Sequence, residues 1–228
     1  MGPLLLAQDI GSKWIYWPWV GDHLDEIRTR LAEHITLTFW AVFIGFLIAF
    51  PLALLAVRWR RVYPPIIGVT GVLYTIPSIA LFVFLIPWTG LSRTTAIIPL
   101  IAYTLLILIR NIVAGLDGVP GDVREAAQGM GYRRLRQLFS VELPLALPAI
   151  VAGIRIATVT TIGLITVTAL IGQGGLGQFM LDGFQRDFRT PLTVGIVLSV
   201  ALAVIADLLL VGAERLVWPW ARVQKRRS

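Results

Sequence analysis

Cysteine is absent from this 228-residue chain, which removes disulfide frameworks, thiolate metal sites and thiol nucleophiles together. Histidine is nearly as rare. Only His23 and His34 occur, both ahead of the first uncharged run, so they are expected outside the apolar core, and zinc, redox and intramembrane acid–base chemistry lose their usual ligands. Charge is also sparse: 14% of residues carry it, against roughly a quarter in an ordinary soluble domain, while 57% are hydrophobic and mean hydropathy is +0.79. No Gly-x-x-x-x-Gly-Lys-Ser/Thr sequence occurs, so the chain lacks the phosphate cradle of a P-loop ATPase. What is left is the composition of an integral membrane protein, in which no catalytic set is expected.

A bilayer core about 30 Å thick needs about 20 mostly apolar residues in helix. Five runs qualify: residues 37–57 and 66–88 without charge, 94–116 with Arg110, 149–171 with Arg155, and 192–213 with Asp207. Backbone amides in hydrocarbon must pair within their own segment, and these runs do not alternate as barrel strands do, so an all-α polytopic fold with five transmembrane helices is predicted. Pro51, Pro77 and Pro99 lie inside spans, where each deletes a backbone bond and favours a kink whose freed carbonyls neighbouring helices must cover.

The formal charge of +7 sorts by membrane side, which excludes a nucleic-acid partner as its cause. Segments after the first, third and fifth runs hold twelve Lys and Arg, from Arg58 through Arg124 to the Lys225-Arg226-Arg227 tail; the opposite side holds six. The positive-inside rule therefore puts the N-terminus outside and the C-terminus in the cytoplasm. Trp59, Trp88, Trp218 and Trp220 fall at span ends, as headgroup anchors do. Residues 1–34 form an outer arm or an interfacial helix with Leu24, Ile27 and Leu31 on one side; Pro3 to Ala7 is too short for a signal-peptide core, so this segment is expected to remain. Residues 35–213 form the membrane domain, residues 214–228 a basic cytoplasmic tail, and no appended domain is expected.

Between the third and fourth spans lies an insert, residues 117–148, too charged to cross a bilayer yet rich in helix signals. Asp122 and Glu125 stand in capping-box spacing after the Pro120-Gly121 turn. Gly129 and Gly131 supply the positive-φ freedom that ends a first helix, Tyr132 to Phe139 starts a second with Leu135, Leu138 and Phe139 on one side, and Pro144 and Pro148 close the insert. The small side chains of Ala126 and Ala127 would let a partner approach the backbone.

Glu125-Ala126-Ala127, then Gly131 six positions after the glutamate, then Val141-Glu142-Leu143-Pro144, resemble the EAA loop of binding-protein-dependent ABC importer permeases, with Val141 in place of isoleucine. Further segments, including Tyr74-Thr75-Ile76-Pro77-Ser78, Ile109-Arg110-Asn111 and Gly172-Gln173-Gly174-Gly175-Leu176-Gly177, resemble the osmoprotectant branch, which carries glycine betaine, carnitine, choline or proline betaine. The resemblance implies a five-helix type I importer core whose insert acts as a coupling helix docking into an ATPase subunit. It also implies an extracytoplasmic solute-binding protein and a second permease copy or paralogue. ATP and Mg would sit on the partner ATPase, with no cofactor on this chain, in the inner membrane. Methionine-type importers share the core and the loop, and a carrier or channel is the alternative from another class.

The Gly172 to Gly177 segment satisfies the G-x-G-x-x-G spacing of dinucleotide turns, but no strand precedes it, so that reading fails. Gly172, Gly174, Gly175 and Gly177 instead form an outward loop, a candidate outer gate or binding-protein contact, or plain turn geometry. Thr158, Thr161 and Thr168 recur near one face of the fourth span and either line a polar path or pack helix on helix. Arg110 and Asp207 are the intramembrane charges expected to pair or to snorkel, and Arg155 to reach headgroups.

Overall fold

The computed structural model describes residues 13–217, and within them every regular element is helical. The helices are α1 (Trp17–Asp22), α2 (Leu24–Arg58), α3 (Tyr63–Thr75), α4 (Ser78–Thr89), α5 (Arg93–Asp117), α6 (Gly121–Gly129), α7 (Arg134–Gln137), α8 (Leu143–Ile165), α9 (Gly177–Gln185) and α10 (Arg189–Val217). Four stretches are long and apolar enough to cross a membrane, and a bent pair, α3 with α4, makes up to five. Trp218, Trp220 and most of the basic tail lie outside the described residues.

Helix α5 is the hub. It packs against α2, α8, α3 and α4, and its Leu100, Tyr103, Leu108, Ile112 and Leu116 are buried. Ser92 opens it as N-cap, its hydroxyl accepting from the Thr95 amide. On α2 the buried residues Ala41, Gly45, Ala49, Ala53 and Ala56 recur at three- or four-residue steps. Lipid tails are as apolar as leucine, so this association rests on close packing, which small side chains permit. Pro51 lies on the exposed face of α2 and does not interrupt it.

The boundary expected at residue 34 falls inside a helix. Helix α2 begins at Leu24, with Asp25 and Glu26 in its first turn complementing the helix dipole, and runs unbroken into the first span. Ahead of it α1 is not a free arm but packs on α9 and the start of α10. Trp19 stacks on His23 at 4.2 Å and meets Phe179 and Phe188 edge-on, while the Tyr16 amide donates to Thr190 Oγ1 at 2.9 Å. His34 corrects a second expectation. It is fully buried inside α2, with Nε2 3.0 Å from the Ile162 carbonyl, tying α2 to α8.

The second run is not one straight span. Helices α3 and α4 meet at 93° across Ile76-Pro77, where both residues take extended backbone angles. Proline forces the residue before it out of the helical region and cannot donate, so the helix ends rather than kinks. The Tyr103 hydroxyl of α5 donates to the freed Ile76 carbonyl, and Tyr74 lies edge-on to Tyr103 at 5.8 Å. Tyr103→Phe is expected to cost about 1 kcal/mol, the net worth of one such bond, read as a lower thermal midpoint with assembly intact.

Arg60, just beyond α2, makes a two-pronged ion pair with Asp117 at the end of α5, which puts those two helix ends on the same side of the bundle.

Candidate functional site

The segment between α5 and α8 is built as two short helices on a stiff base. Pro120 starts α6 by fixing its N-cap backbone, so Asp122 falls inside the first turn. The capping box is therefore not formed: Asp122 Oδ1 accepts from the adjacent Val123 amide at 3.0 Å and no side chain caps the helix. At the other end the Gly131 and Tyr132 amides donate to the Gln128 and Ala127 carbonyls at 2.9 and 3.1 Å, a Schellman closure with Gly131 at φ 78°. Gly129 remains in the helix, and Gly131 alone reverses the chain.

Prolines 144 and 148 do not end the insert. Arg134–Gln137 passes through a wide π-turn, Leu138–Glu142, directly into Leu143–Ile165, so α7 and the fourth span form one continuous helical element. An α-helical Pro144 would orphan the Ser140 carbonyl, and the wider turn takes up that defect.

Within this segment Ala127, Leu138 and Leu143 turn inward, Leu138 and Leu143 packing on the main core, while Val141 and Pro144 are half-buried. Glu125 and Ala126 face outward. Glu142 is the internal latch: it accepts from Gln137 Nε2 at 2.8 Å and stands 3.8 Å from Arg124 Nε, and Arg124 also donates to the Leu116 carbonyl at the end of α5. These contacts bind α6, the π-turn and α5 into one unit. Sequence spacing does not show them, because a five-residue separation faces the same side only in a π-turn.

Outside that unit three large apolar side chains project: Met130 is 68%, Leu135 71% and Phe139 59% exposed. These three side chains, the apolar crest, stand in a segment otherwise rich in arginine. In the same segment Arg136 lies 4.4 Å over the Tyr132 ring.

At the opposite end of α8 the helix tightens into a 3₁₀ turn, Thr166–Ile171, and reverses at Gly172, φ 73°. Gly172 is exposed, but Gly174, Gly175 and Gly177 are buried: a Cβ on Gly177 would lie 2.6 Å from Thr166 Cα, and one on Gly175 2.9 Å from His34 Cβ. The segment is a packed crossing of backbones rather than an open loop.

The three threonines do not share a path. Thr158 lines an apolar cleft of about 430 Å³ between α2, α8 and α10, yet its hydroxyl turns back to the Ile154 carbonyl at 2.8 Å. Thr161 is buried with its hydroxyl unpartnered, and Thr168 bridges the Ile165 and Gln173 carbonyls. The change to 3₁₀ geometry at Thr166 breaks the 3.6-residue period on which the common face depended.

The intramembrane charges pair differently from expectation. Asp207 takes both Nε and Nη2 of Arg155, at 2.8 and 3.0 Å, and Arg110 is exposed on α5. No group of three or more potential metal-ligating side chains occurs among the described residues.

Residues 41–218 match the family described as binding-protein-dependent transport system inner membrane component. The chain is 37% identical over 194 residues to the choline transport system permease protein OpuBB of Bacillus subtilis (strain 168), covering 85% of this chain and 89% of that protein. It is 38% identical to the osmoprotectant import permease protein OsmW of Salmonella typhimurium, covering 83% and 90%, and 35% identical to the carnitine transport permease protein OpuCB of Listeria monocytogenes, covering 86% and 90%. Among solved structures it resembles the inward-facing MetNI methionine ABC transporter, with a TM-score of 0.76 and 26% identity over 84% of this chain and 96% of that one.

Proposed function

The chain belongs to the binding-protein-dependent transport system inner membrane components, a multi-pass permease subunit of the inner membrane and not an enzyme, and from that premise we propose that it imports a compatible solute of the quaternary-ammonium class. Glycine betaine, carnitine, choline and proline betaine are the candidates, delivered by an extracytoplasmic binding protein. Relatives named for choline, carnitine and osmoprotectant transport, each matched over more than four-fifths of this chain, support that substrate class.

The observation that carries the reading is the latched segment with its apolar crest. Its Glu125, Ala126, Ala127 and Gly131, followed by Val141, Leu143 and Pro144, form the coupling element, and Met130, Leu135 and Phe139 dock an ATPase that binds ATP and Mg in trans. ATP-driven closure of two ATPase subunits pushes the segment as a lever, and its continuity with α8 through the π-turn carries the motion into the membrane. Five spans, with the N-terminus outside and the C-terminus cytoplasmic, put the crest on the ATPase side; the Arg60–Asp117 pair at the same end supports that arrangement. A second permease copy completes the path, and the exposed Gly172 of the packed Gly172 to Gly177 turn offers a contact for the binding protein at its outer end.

The test is affinity purification of the tagged chain in mild detergent, followed by reconstitution with the co-purifying ATPase and binding protein. Stoichiometric ATPase and ATP-dependent uptake of choline or a betaine are expected. Uptake of methionine with quaternary amines inert would favour the methionine-type reading that the MetNI likeness suggests. Absence of any ATPase from well-folded protein would return the question to a carrier or channel.

A further inference from the structure

Helices α8 and α10 enclose a groove of about 600 Å³ on the side of α8 away from the apolar cleft, walled by Ala152, Ile156, Val159, Thr160, Ala203 and Leu208. Its polar wall is the Arg155–Asp207 pair. The two side chains are 31% and 34% exposed, so the pair is neither sealed between helices nor free at the surface. Asp207 sits eight residues before Arg215, about 12 Å of helix, which is beyond the reach of a short aspartate toward headgroups. A partly exposed ion pair at that depth is costly against hydrocarbon, whereas it is stable beside water or a polar solute.

The pairing geometry leaves binding capacity unused. Asp207 occupies Nε and Nη2 of Arg155, while Nη1 points to Glu214 Oε2 at 3.9 Å, too far for a hydrogen bond. Nη1 therefore retains donors for another acceptor. The three side chains carry two negative charges and one positive, so the groove as a whole favours a cation while offering one guanidinium edge to an anion.

We infer that this groove is a water-filled wall of the solute path, and that the solute exchanges into its ion network: the carboxylate of a zwitterionic quaternary amine accepts from Arg155 Nη1, and the methylated cation lies against Asp207 and Glu214. This rests on the compatible-solute reading. A permanently charged ammonium can neither lose a proton nor donate a hydrogen bond, so carboxylate charge beside apolar walls is the chemistry that accommodates it. A bound carboxylate likewise suits the planar edge of arginine.

Two arms test it on the assembled complex in proteoliposomes. The lack of native cysteine makes a Thr160→Cys variant the single thiol on this chain. A membrane-impermeant thiol reagent is expected to label it, with Ala49→Cys, fully buried, as the unlabelled control. Arg155→Gln is expected to slow uptake of carnitine or glycine betaine about tenfold or more relative to choline, which has no carboxylate, while Asp207→Asn slows all three. An Arg155→Asp/Asp207→Arg double variant keeps an ion pair, and it is expected to assemble yet remain impaired for the zwitterions. An unlabelled Thr160→Cys, losses equal across solutes in Arg155→Gln, or full rescue by the charge swap would each overturn the inference and leave the pair a helix fastener. Wild-type protein that carries none of the three solutes would instead overturn the compatible-solute reading, and this inference with it; selective failure of the variants in an active wild-type background separates the two.

Discussion

Replacing Leu135 and Phe139 together by glutamate is expected to strip the ATPase from the purified protein while leaving the membrane domain folded. Both side chains are more than half exposed in the single chain, so their loss costs little in folding, within about 0.5 kcal/mol for surface positions of this kind. At a docked surface the ledger differs. Burying one large apolar side chain contributes about 1.5–3 kcal/mol, so losing two amounts to roughly a hundred- to ten-thousandfold in affinity. The measurement is ATPase recovered per permease, beside the thermal midpoint of the permease itself; undiminished recovery would remove the crest as the docking surface. Gly131→Asp is the milder companion. The open space around its Cβ position leaves room within the chain, so its cost is the left-handed backbone, about 1–2 kcal/mol, plus whatever a carboxylate meets in the partner.

Gly177→Ala is expected to abolish accumulation of folded protein, whereas Gly172→Ala, five residues away, is expected to cost only about 1 kcal/mol. Both lie in the same glycine-rich turn, yet they fail for different reasons. At Gly177 the added Cβ would fall 2.6 Å from Thr166 Cα and 2.8 Å from its carbonyl carbon, backbone atoms that no rotamer change can clear. Relief requires moving the 3₁₀ turn, and with it the buried Ile171 and Leu176. At Gly172 nothing lies within 4 Å of the Cβ position, and the positive φ is the sole penalty. Membrane levels of each variant by fluorescence-detected size exclusion give the answer. Equal yields would mean that the turn opens in the membrane and that its packing is not structural.

The all-helical fold, four of the five long apolar runs as continuous spanning helices and the charged segment between the third and fourth runs were legible in the sequence, because each depends on local properties: run length and charge asymmetry. Leu135, Leu138 and Phe139 were expected on one side; Leu135 and Phe139 are exposed, while Leu138, the first residue of the π-turn, packs on the main core. Expectations that relied on an unbroken helical period failed where the period changed. Thr168 left the face of Thr158 at the 3₁₀ turn, and Pro144 did not end a helix because a wider turn had already absorbed its missing donor. The capping box failed by two residues, since Pro120 and not Asp122 is the N-cap of α6.

By itself the sequence determined that this chain crosses a membrane, which of its segments cannot, and which family pattern that charged segment carries, since hydropathy and motif spacing are properties of consecutive residues. Only the tertiary structure decided that Arg155 rather than Arg110 holds Asp207 and that His34 is buried against the Ile162 carbonyl. Those choices depend on which faces of distant helices meet. Contacts between residues 52 or 128 positions apart leave no periodic trace along the chain, because the free energy that selects them is that of packing and pairing across helices.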